Sequence, residues 1–262
     1  MTLHFPMLFE ELHRLDEWDY ERIGLRGNPA YSGLRRGDWE EPLVHVRRGK
    51  LEDELIEIIE RFISGDDVKH VYLFSREGGA GKSHTQHILR RHCHERDIPF
   101  MDIWHEDMRN NLREAIPYML EMIGRERCVV FLECDHPPEI YRQLVEIPQC
   151  LIIGSGHEPH RELDGVMDRF RVLDIERDYP LSHEQLYELL KAPMEELRIG
   201  DAEVVGDDLL RMIAERVKSP GDALNVLGVL LAIAAYKAKR GEEYEITERD
   251  VRVWTRRGMP KD

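Results

Sequence analysis

A short glycine-rich segment limits the folds open to this chain more than any other feature. Residues 76–83 read Arg-Glu-Gly-Gly-Ala-Gly-Lys-Ser and lie between an apolar run at residues 71–75 and a helical stretch that begins at His84. Glycines in such a loop allow backbone amides to turn inward around a phosphate group, and the helix N-terminus that follows favours negative charge. The run, loop and helix together predict a phosphate-binding loop, or P-loop.

The loop gives roles to individual side chains. Lys82 is expected to reach the β- and γ-phosphates of a nucleotide, and the Ser83 hydroxyl is expected to bind Mg²⁺. The usual pattern has a glycine six residues before the lysine, whereas this chain has Arg76 there. The predicted cofactors are ATP or ADP with Mg²⁺. The predicted nucleotide-binding residues are Gly78, Gly79, Ala80, Gly81, Lys82, Ser83 and His84.

The apolar pattern around this loop predicts an α/β fold. Short apolar runs alternate with helical stretches, which is typical of a parallel sheet with crossover helices. Residues 129–132 show no polar alternation, as expected of a central strand that is covered on both faces. Apolar residues between positions 50 and 63 recur every three or four residues and predict an amphipathic helix. The predicted strands lie at residues 71–75, 99–104, 128–133, 150–154 and 170–175.

Beyond Tyr179 the pattern becomes helical only. Ser182 is a predicted N-cap, and Pro220 with Gly221 is expected to separate two helices. The predicted fold is therefore a P-loop NTPase parallel sheet with flanking helices, followed by a small all-helical lid subdomain. Its predicted parts are an N-terminal extension at residues 1–44, an α/β core at 45–178 and the lid at 179–262. The predicted helices lie at residues 184–197, 207–217, 223–239 and 248–254.

A carboxylate is expected after a strand near the P-loop, because ATP hydrolysis needs an acid that supports Mg²⁺ and usually a second that orients water. Glu133 follows the apolar run 129–132 and is the predicted metal-supporting acid. The next residue, where a catalytic glutamate is usual, is Cys134, which does not activate water in the same way. Either Asp135 takes this catalytic role, or hydrolysis is slow or absent.

With these pieces placed, the chain resembles the AAA+ ATPases, most nearly the replication-initiator and clamp-loader branch, over about residues 45–255. That resemblance implies a polar sensor residue at the end of a later strand, for which Ser155 is the candidate, with His157 close behind. It also implies an arginine finger that reaches the ATP of a neighbouring subunit. The sequence Met-Asp-Arg-Phe at residues 167–170 makes Arg169 the candidate finger.

The helical part resembles the lid of the same family. The family has a Gly-Asp-Ala-Arg turn whose arginine senses the γ-phosphate, and here Gly221, Asp222 and Ala223 are followed by Leu224. A later family pattern is echoed by Ile246, Thr247, Glu248, Asp250 and Val251. No winged-helix DNA-binding domain is expected after it.

Charge and cysteine content restrict the partners and the location. The net charge of −15 argues against broad nucleic-acid binding, which depends on lysine and arginine, although short basic clusters such as residues 47–50 leave an indirect role open. The four cysteines form no CxxC pair and are expected to be reduced. No run of about 18 apolar residues is evident, so we expect a cytoplasmic protein without a membrane segment.

Two functions remain open from the sequence. The first is an AAA+ ATPase that assembles with itself under nucleotide control to remodel or recruit a protein partner, in a process linked to DNA. The second is a nucleotide-gated adaptor that binds ATP or ADP and hydrolyses little, as Cys134, Leu224 and Arg76 would favour. A small-molecule kinase and a zinc site that uses His84 and His87 are weaker interpretations.

Overall fold

The computed structural model describes residues 12, 14–28, 46–76, 78–103, 126–133, 136–201 and 203–256. The described residues form two compact units. Residues 47–180 make up one, called here the α/β unit, and the residues before position 47 join those from 181 onward in the other, called here the helical unit. Each unit has its own apolar core.

Helices and strands follow the sequence-based expectations closely. Each predicted strand is present, and its ends agree with the prediction to within one or two residues. The predicted end of the second strand, Trp104, lies outside the described residues. The strands are β1 (His70–Phe74), β2 (Phe100–Ile103), β3 (Cys128–Leu132), β4 (Cys150–Gly156) and β5 (Phe170–Asp174). The helices are α1 (Glu17–Glu21), α2 (Leu51–Ile63), α3 (Lys82–Glu95), α4 (Pro138–Leu144), α5 (Pro159–Glu162), α6 (His183–Leu197), α7 (Asp207–Arg216), α8 (Pro220–Lys239) and α9 (Glu248–Arg256), and a 3-10 turn spans Met167–Arg169.

The five strands form one parallel sheet in the order β2-β3-β4-β1-β5. Strand β4 therefore lies between β1, which leads into the glycine loop, and β3, which leads to Glu133. The register pairs Leu73 of β1 with Ser155 of β4, and Leu132 of β3 with Gly154 of β4. Because all strands run the same way, their carboxyl ends meet at one edge, where ligands of open α/β sheets usually bind.

Both faces of this sheet are covered. Side chains of β1, β3 and β4 that point to one face pack with apolar residues of α2 and α3, and those on the other face pack with α4. Every residue of β3 and β4 is buried, as the unbroken apolar pattern at residues 129–132 predicted. Cys93, Cys128 and Cys150 lie in these cores as free thiols. Burial raises the pKa of Cys93 and of Cys128 to about 12, and of Cys150 to about 11.

The helical unit is built around α8. Ser182 caps α6 as predicted, since its side chain accepts a hydrogen bond from the Gln185 N–H group and the Gln185 side chain accepts one in return. The expected junction between two helices is present, but it lies at residues 217–219, since α7 ends at Arg216 and α8 already begins at Pro220. Proline is well tolerated in a first helical turn, and the Ser219 hydroxyl caps this helix by accepting from Asp222.

Helix α8 is also, among the described residues, the one helix that is long and apolar enough to cross a membrane by length and composition. Ten of its residues are buried, and 61% of its most apolar stretch is buried. A core helix of a globular unit accounts for such a pattern.

Residues 14–28, which belong to the expected N-terminal extension, pack within the helical unit. Leu25 forms an isolated antiparallel bridge with Arg198. The Asn28 side chain donates to the Gly228 carbonyl of α8 at 2.9 Å, and Lys239 pairs with the buried Asp19 at 2.8 Å. The boundary between extension and lid therefore does not separate these residues in space, while the three-part division of the chain stays a prediction.

Candidate phosphate-binding site

The glycine loop joins β1 to α3 at the carboxyl edge of the sheet. Gly79 has φ 78° and Gly81 has φ 94°, both in the left-handed region that side chains disfavour. Gly81 is the N-cap of α3, and Lys82 is the first helical residue. The loop thus opens a helix of 14 residues, whose N-terminus favours an anion.

The exceptional residue of the motif, Arg76, fits this loop without strain. Among the described residues, Asp97 alone combines a side chain with a positive φ, so Arg76 does not occupy a backbone conformation that needs glycine. Its side chain is exposed. Glu77 lies outside the described residues. The departure from the usual glycine spacing therefore does not prevent the loop from forming.

Lys82 lies at the centre of a small polar cluster. Its side chain is buried, and Nζ donates to the Ser75 hydroxyl at 2.6 Å. His157, which follows β4, brings its Nδ1 to 3.4 Å from the same Nζ and to 3.0 Å from the Ser75 carbonyl oxygen. A carbonyl only accepts hydrogen bonds, so we assign the proton of His157 to Nδ1. The ends of β1 and β4 and the start of α3 therefore converge on one ammonium group.

The other loop residues lie where the motif predicts them. Ser83 and His84 are half-buried in the first turn of α3. The Thr85 hydroxyl donates to the Gly81 carbonyl at 3.1 Å and so closes the first turn. The roles of Ser83 and His84 towards a metal and a nucleotide stay predictions.

Glu133 directly follows β3, and helix α3 fixes the strand ends beside it. The side-chain amide of Gln86, which is fully buried, donates to the Leu132 carbonyl at 3.0 Å and to the Ile153 carbonyl at 2.9 Å. These two hydrogen bonds tie α3 to the carboxyl-terminal parts of β3 and β4, close to Glu133 and Ser155. Cys134 and the candidate base Asp135 lie outside the described residues.

Charges near Glu133 affect one another. Burial raises the pKa of Asp102, the Arg90 guanidinium lowers it, and Glu133 adds to the rise. Burial lowers the pKa of His87, with Arg90 and Arg91 acting in the same direction and Glu133 against it. The half-buried Glu133 therefore lies close enough to Asp102 of β2 and His87 of α3 to raise the pKa of both groups, as expected for an acid at the carboxyl edge of the sheet.

The sensor candidates differ in their surroundings. Ser155 is fully buried within β4, beside Leu73 of β1, whereas His157 lies within reach of Lys82. Sequence reasoning placed both near the phosphate side without deciding between them. The role of Ser155 stays a prediction, and the contact geometry makes His157 the residue that joins the Lys82 cluster.

The candidate arginine finger lies at the other edge of the sheet. Arg169 ends the 3-10 turn before β5, is exposed, and precedes the residue that pairs with His70 at the start of β1. Strand β1 has five residues and spans roughly 13 Å, so the Arg169 backbone lies at least that far from the loop that follows β1. The Arg169 backbone is thus at the opposite edge of the sheet from the P-loop of its own chain.

Two further positions correct or extend the sequence interpretation. Leu224, which replaces the family arginine, is half-buried against the core of the helical unit. Arg48, which the sequence suggested as part of a surface basic cluster, is buried instead. Its guanidinium donates to the Ala80 carbonyl of the P-loop and, at 3.1 Å each, to the carbonyls of Ile175 and Tyr179. No local sequence pattern indicates these contacts, which span between 32 and 131 residues of the chain.

These residues suit a nucleotide with Mg²⁺. Gly79 and Gly81 have the positive φ values that allow loop amides to turn towards an anion, α3 begins at Lys82, and Lys82 provides a buried positive charge. Ser83 and Glu133 are oxygen donors, the ligands that Mg²⁺ prefers. Within the described ranges, no three His, Cys, Asp or Glu side chains converge as they would around a bound zinc ion.

Comparison with solved structures gives the same fold. The Aeropyrum pernix Orc1 protein, solved in complex with DNA, aligns with a TM-score of 0.57 at 16% identity over 81% of this chain and 65% of that chain. RuvB from Thermotoga maritima aligns with a TM-score of 0.53 at 15% identity, covering 85% and 73%. The Aeropyrum pernix Orc2 protein, solved with ADPNP and ADP, gives 0.54 at 15% identity, covering 84% and 69%.

The sequence itself gives no such match. No protein-family profile matches it, and a search of curated proteins returns no match. The chain spans between 65% and 73% of the length of these structural neighbours. The P-loop, the order of the parallel strands and the helical region that follows them nevertheless agree with the resemblance seen in the sequence. The chain has the fold that is seen in the AAA+ P-loop ATPases.

Proposed function

We propose that this chain is an AAA+ ATPase that binds ATP with Mg²⁺ at Gly78–Ser83 and assembles with itself under nucleotide control. The observation that carries this proposal is the cluster in which Lys82 Nζ meets the Ser75 hydroxyl and His157 at the mouth of a glycine loop. A buried ammonium group at a helix N-terminus favours a polyanion. When bound, Mg²⁺ would supply Lewis-acid stabilisation of phosphate charge, with Ser83 and Glu133 as its protein-side oxygens.

The position of Arg169 supports the proposed self-assembly. Because this exposed residue lies at the amino edge of the sheet, far from its own P-loop, the proposal assigns it as an arginine finger for the nucleotide of another copy. An arginine finger supplied in trans stabilises charge in the transition state of phosphoryl transfer. On this proposal Asp135, or Glu133 itself, orients the attacking water, and Ser155 supports the sensing of the γ-phosphate.

The output of this cycle is proposed to be the remodelling or recruitment of a protein partner in a DNA-linked process in the cytoplasm. The fold shared with Orc1, solved with DNA, supports the link to DNA. The net charge of −15 favours contact through a partner over broad DNA binding by this chain alone.

A nucleotide-gated adaptor with little hydrolysis is the second candidate. The observation that favours it is Leu224, which packs against the core of the helical unit where the family lid has an arginine. Cys134, at the position usual for a catalytic glutamate, favours it as well. Such a protein would bind ATP or ADP stably and signal through its bound state.

Steady-state ATP hydrolysis as a function of protein concentration tests the first proposal. We expect the specific rate to rise with concentration, with Lys82→Ala weakening binding about 100-fold and abolishing turnover, and Arg169→Ala abolishing turnover alone. Arg161→Ala, at a side chain that is 81% exposed, is the control and should behave as wild type. A wild-type protein that binds ATP tightly yet hydrolyses no faster than Lys82→Ala at any concentration would favour the adaptor.

A further inference from the structure

The turn before α2 places one arginine against the outside of the P-loop. The Arg48 N–H group donates to both carboxylate oxygens of Glu52, at 3.2 and 3.1 Å, and this bond fixes the turn. The Arg48 residue is only 6% exposed. Its Nη2 donates to the Ala80 carbonyl, and its Nη1 donates to the carbonyls of Ile175 and Tyr179. One guanidinium therefore joins the P-loop to the segment that follows β5.

Burying the Arg48 guanidinium removes it from water, which destabilises the fold unless hydrogen bonds offset the loss. Burial lowers the pKa of the Arg48 guanidinium, with Glu52 and Glu176 acting in the opposite direction. A buried cation is tolerated when its donors are satisfied. Arginine presents several N–H donors in a fixed plane, so a single side chain can serve three carbonyls, which a lysine ammonium does with less directional control.

The bond to Ala80 has a direct geometric consequence for the next residue. In a trans peptide the carbonyl and the following N–H point in opposite directions, and no described peptide bond is cis. Arg48 holds the Ala80 carbonyl outward, so the Gly81 N–H is turned to the other side of the loop. Gly81 also has φ 94°, and a Cβ at this position would come 3.3 Å from Arg48 Nη2. The backbone conformation therefore favours glycine here, and a Cβ would in addition displace the Arg48 guanidinium by a few tenths of an ångström.

We infer that Arg48 is a positioning residue for the phosphate site, which fixes the Ala80–Gly81 peptide so that the Gly81 amide points at a bound phosphate. The inference rests on the proposed nucleotide binding and adds to it a residue 33 to 34 positions before Gly81 and Lys82. Its second role is to connect the loop with residues 175–179, so that a conformational change in the loop also moves the segment after β5.

The neighbouring arginine provides a matched control. Arg47 is exposed and pairs with Asp53 on the surface at 2.6 Å. We expect Arg48→Met to weaken Mg·ADP binding about tenfold or more in titration calorimetry, since hydrogen bonds to a charged phosphate are lost or misdirected. Arg47→Met should bind Mg·ADP as the wild type does. Equal affinity in all three proteins would overturn the inference.

A spectroscopic measurement separates positioning from a merely structural role. The sequence contains a single Ala–Gly pair, Ala80–Gly81, so labelling with alanine carbonyl ¹³C and glycine ¹⁵N isolates the Gly81 amide in one NMR correlation. In the wild type we expect this amide resonance to shift on addition of Mg·ADP. In Arg48→Met, at saturating Mg·ADP, we expect a smaller shift or a broadened signal, whereas Arg47→Met should match the wild type.

The outcomes distinguish this inference from the proposed function. A wild-type protein that does not bind Mg·ADP contradicts nucleotide binding and the role of Arg48 together. A wild-type protein that binds Mg·ADP without any change at the Gly81 amide contradicts the role of Arg48 alone. That second result is obtained on wild-type protein, so it holds even if Arg48→Met does not fold.

Discussion

The α/β unit and the helical unit differ most in what they bury. Among the described residues, the helical unit buries three polar or charged side chains, Asp19, Asn28 and Ser219, around an otherwise apolar core. The α/β unit buries eleven: Arg48, Glu52, Ser75, Lys82, Thr85, Gln86, His87, Arg90, His136, Ser155 and Glu162.

The buried polar groups of the two units have different tasks. Burying a polar or charged group destabilises a fold unless hydrogen bonds and ion pairs offset the loss of water. In the helical unit, Ser219 caps a helix and Asn28 joins a loop to α8, both structural tasks. In the α/β unit, Lys82, Gln86 and Arg48 bind the loop and strand ends at the candidate site. The buried polar side chains are thus concentrated in the unit that contains the candidate phosphate-binding site.

The largest effect is expected at the buried ion pair of Arg90 and Asp102. The Arg90 side chain is 7% exposed, and its neighbour Arg91 forms a surface pair with Glu95 at 2.8 Å. Arg90→Ala leaves the half-buried carboxylate of Asp102, whose side chain is 22% exposed, without its cation and should destabilise the protein by about 3–5 kcal/mol. Arg91→Ala should cost less than about 0.5 kcal/mol. Urea unfolding measures both, and similar values would erase the distinction between buried and exposed charge.

A core substitution in the helical unit comes next. Leu230 of α8 is fully buried, and Leu230→Ala should destabilise the protein by about 3 kcal/mol through lost burial and a cavity. Val253→Ala, at a side chain that is 37% exposed, should change stability by less than about 0.5 kcal/mol. Below its melting temperature, Leu230→Ala should bind Mg·ADP as the wild type does. A large loss of affinity in the folded variant would mean that the core of the helical unit also affects Mg·ADP binding, which contradicts the contrast between the two units.

Acid sensitivity should arise in the α/β unit at His70. Burial lowers the pKa of His70 to about 4, with Arg169 adding to the decrease and Asp67 opposing it, and its Nδ1 accepts from the Ile152 N–H at 3.2 Å. The unfolded chain, with a pKa near 6.5, binds the proton first as the pH falls. Stability is therefore complete above about pH 6.5 and is lost towards pH 4, by up to about 3 kcal/mol.

Denaturant unfolding at pH 7 and pH 5 measures this effect. His70→Gln should make the free energy of unfolding less dependent on pH over this interval. His160→Gln, at an exposed histidine, should leave the dependence unchanged. If His70→Gln and the wild type lose the same free energy between the two pH values, His70 is not a source of the acid sensitivity.

The smallest of these effects is expected at Asn28 in the helical unit. Its side-chain amide donates to the Gly228 carbonyl and, at 3.0 Å, to the Tyr20 hydroxyl. Asn28→Ala removes the donor from a buried carbonyl and should destabilise the protein by about 1–2 kcal/mol. Thermal unfolding measures the change. A loss as large as that expected for Arg90→Ala would show that the few polar groups of the helical unit matter as much as those of the α/β unit.

The sequence predicts elements that depend on local patterns. The P-loop was recognisable because glycines, a lysine and a helix start lie within eight residues, and β3 because its apolar run is continuous. Ser182 was recognisable as an N-cap since its partner is three residues away. The start of α8 was placed three residues too late, because Pro220 and Gly221 signal turns as well as first helical turns.

Contacts between distant residues were beyond the sequence pattern. Arg48 contacts carbonyls that lie 32, 127 and 131 residues further along the chain, so its basic neighbours suggested only a solvated cluster. The choice of His157 as the neighbour of Lys82 depends on a contact over 75 residues and on β4 lying beside β1. Periodicity gives the strands but not their order, which decides which side chains meet.

Calorimetric titration with Mg·ADP tests the central claim, that the buried Lys82 cluster in the α/β unit is a phosphate site. Lys69→Ala, at an exposed lysine just before β1, is the control for Lys82→Ala. We expect saturable binding of one Mg·ADP per chain to the wild type and to Lys69→Ala, and binding about 100-fold weaker to a folded Lys82→Ala protein. Equal affinity in all three proteins, or no binding to the wild type, would contradict it.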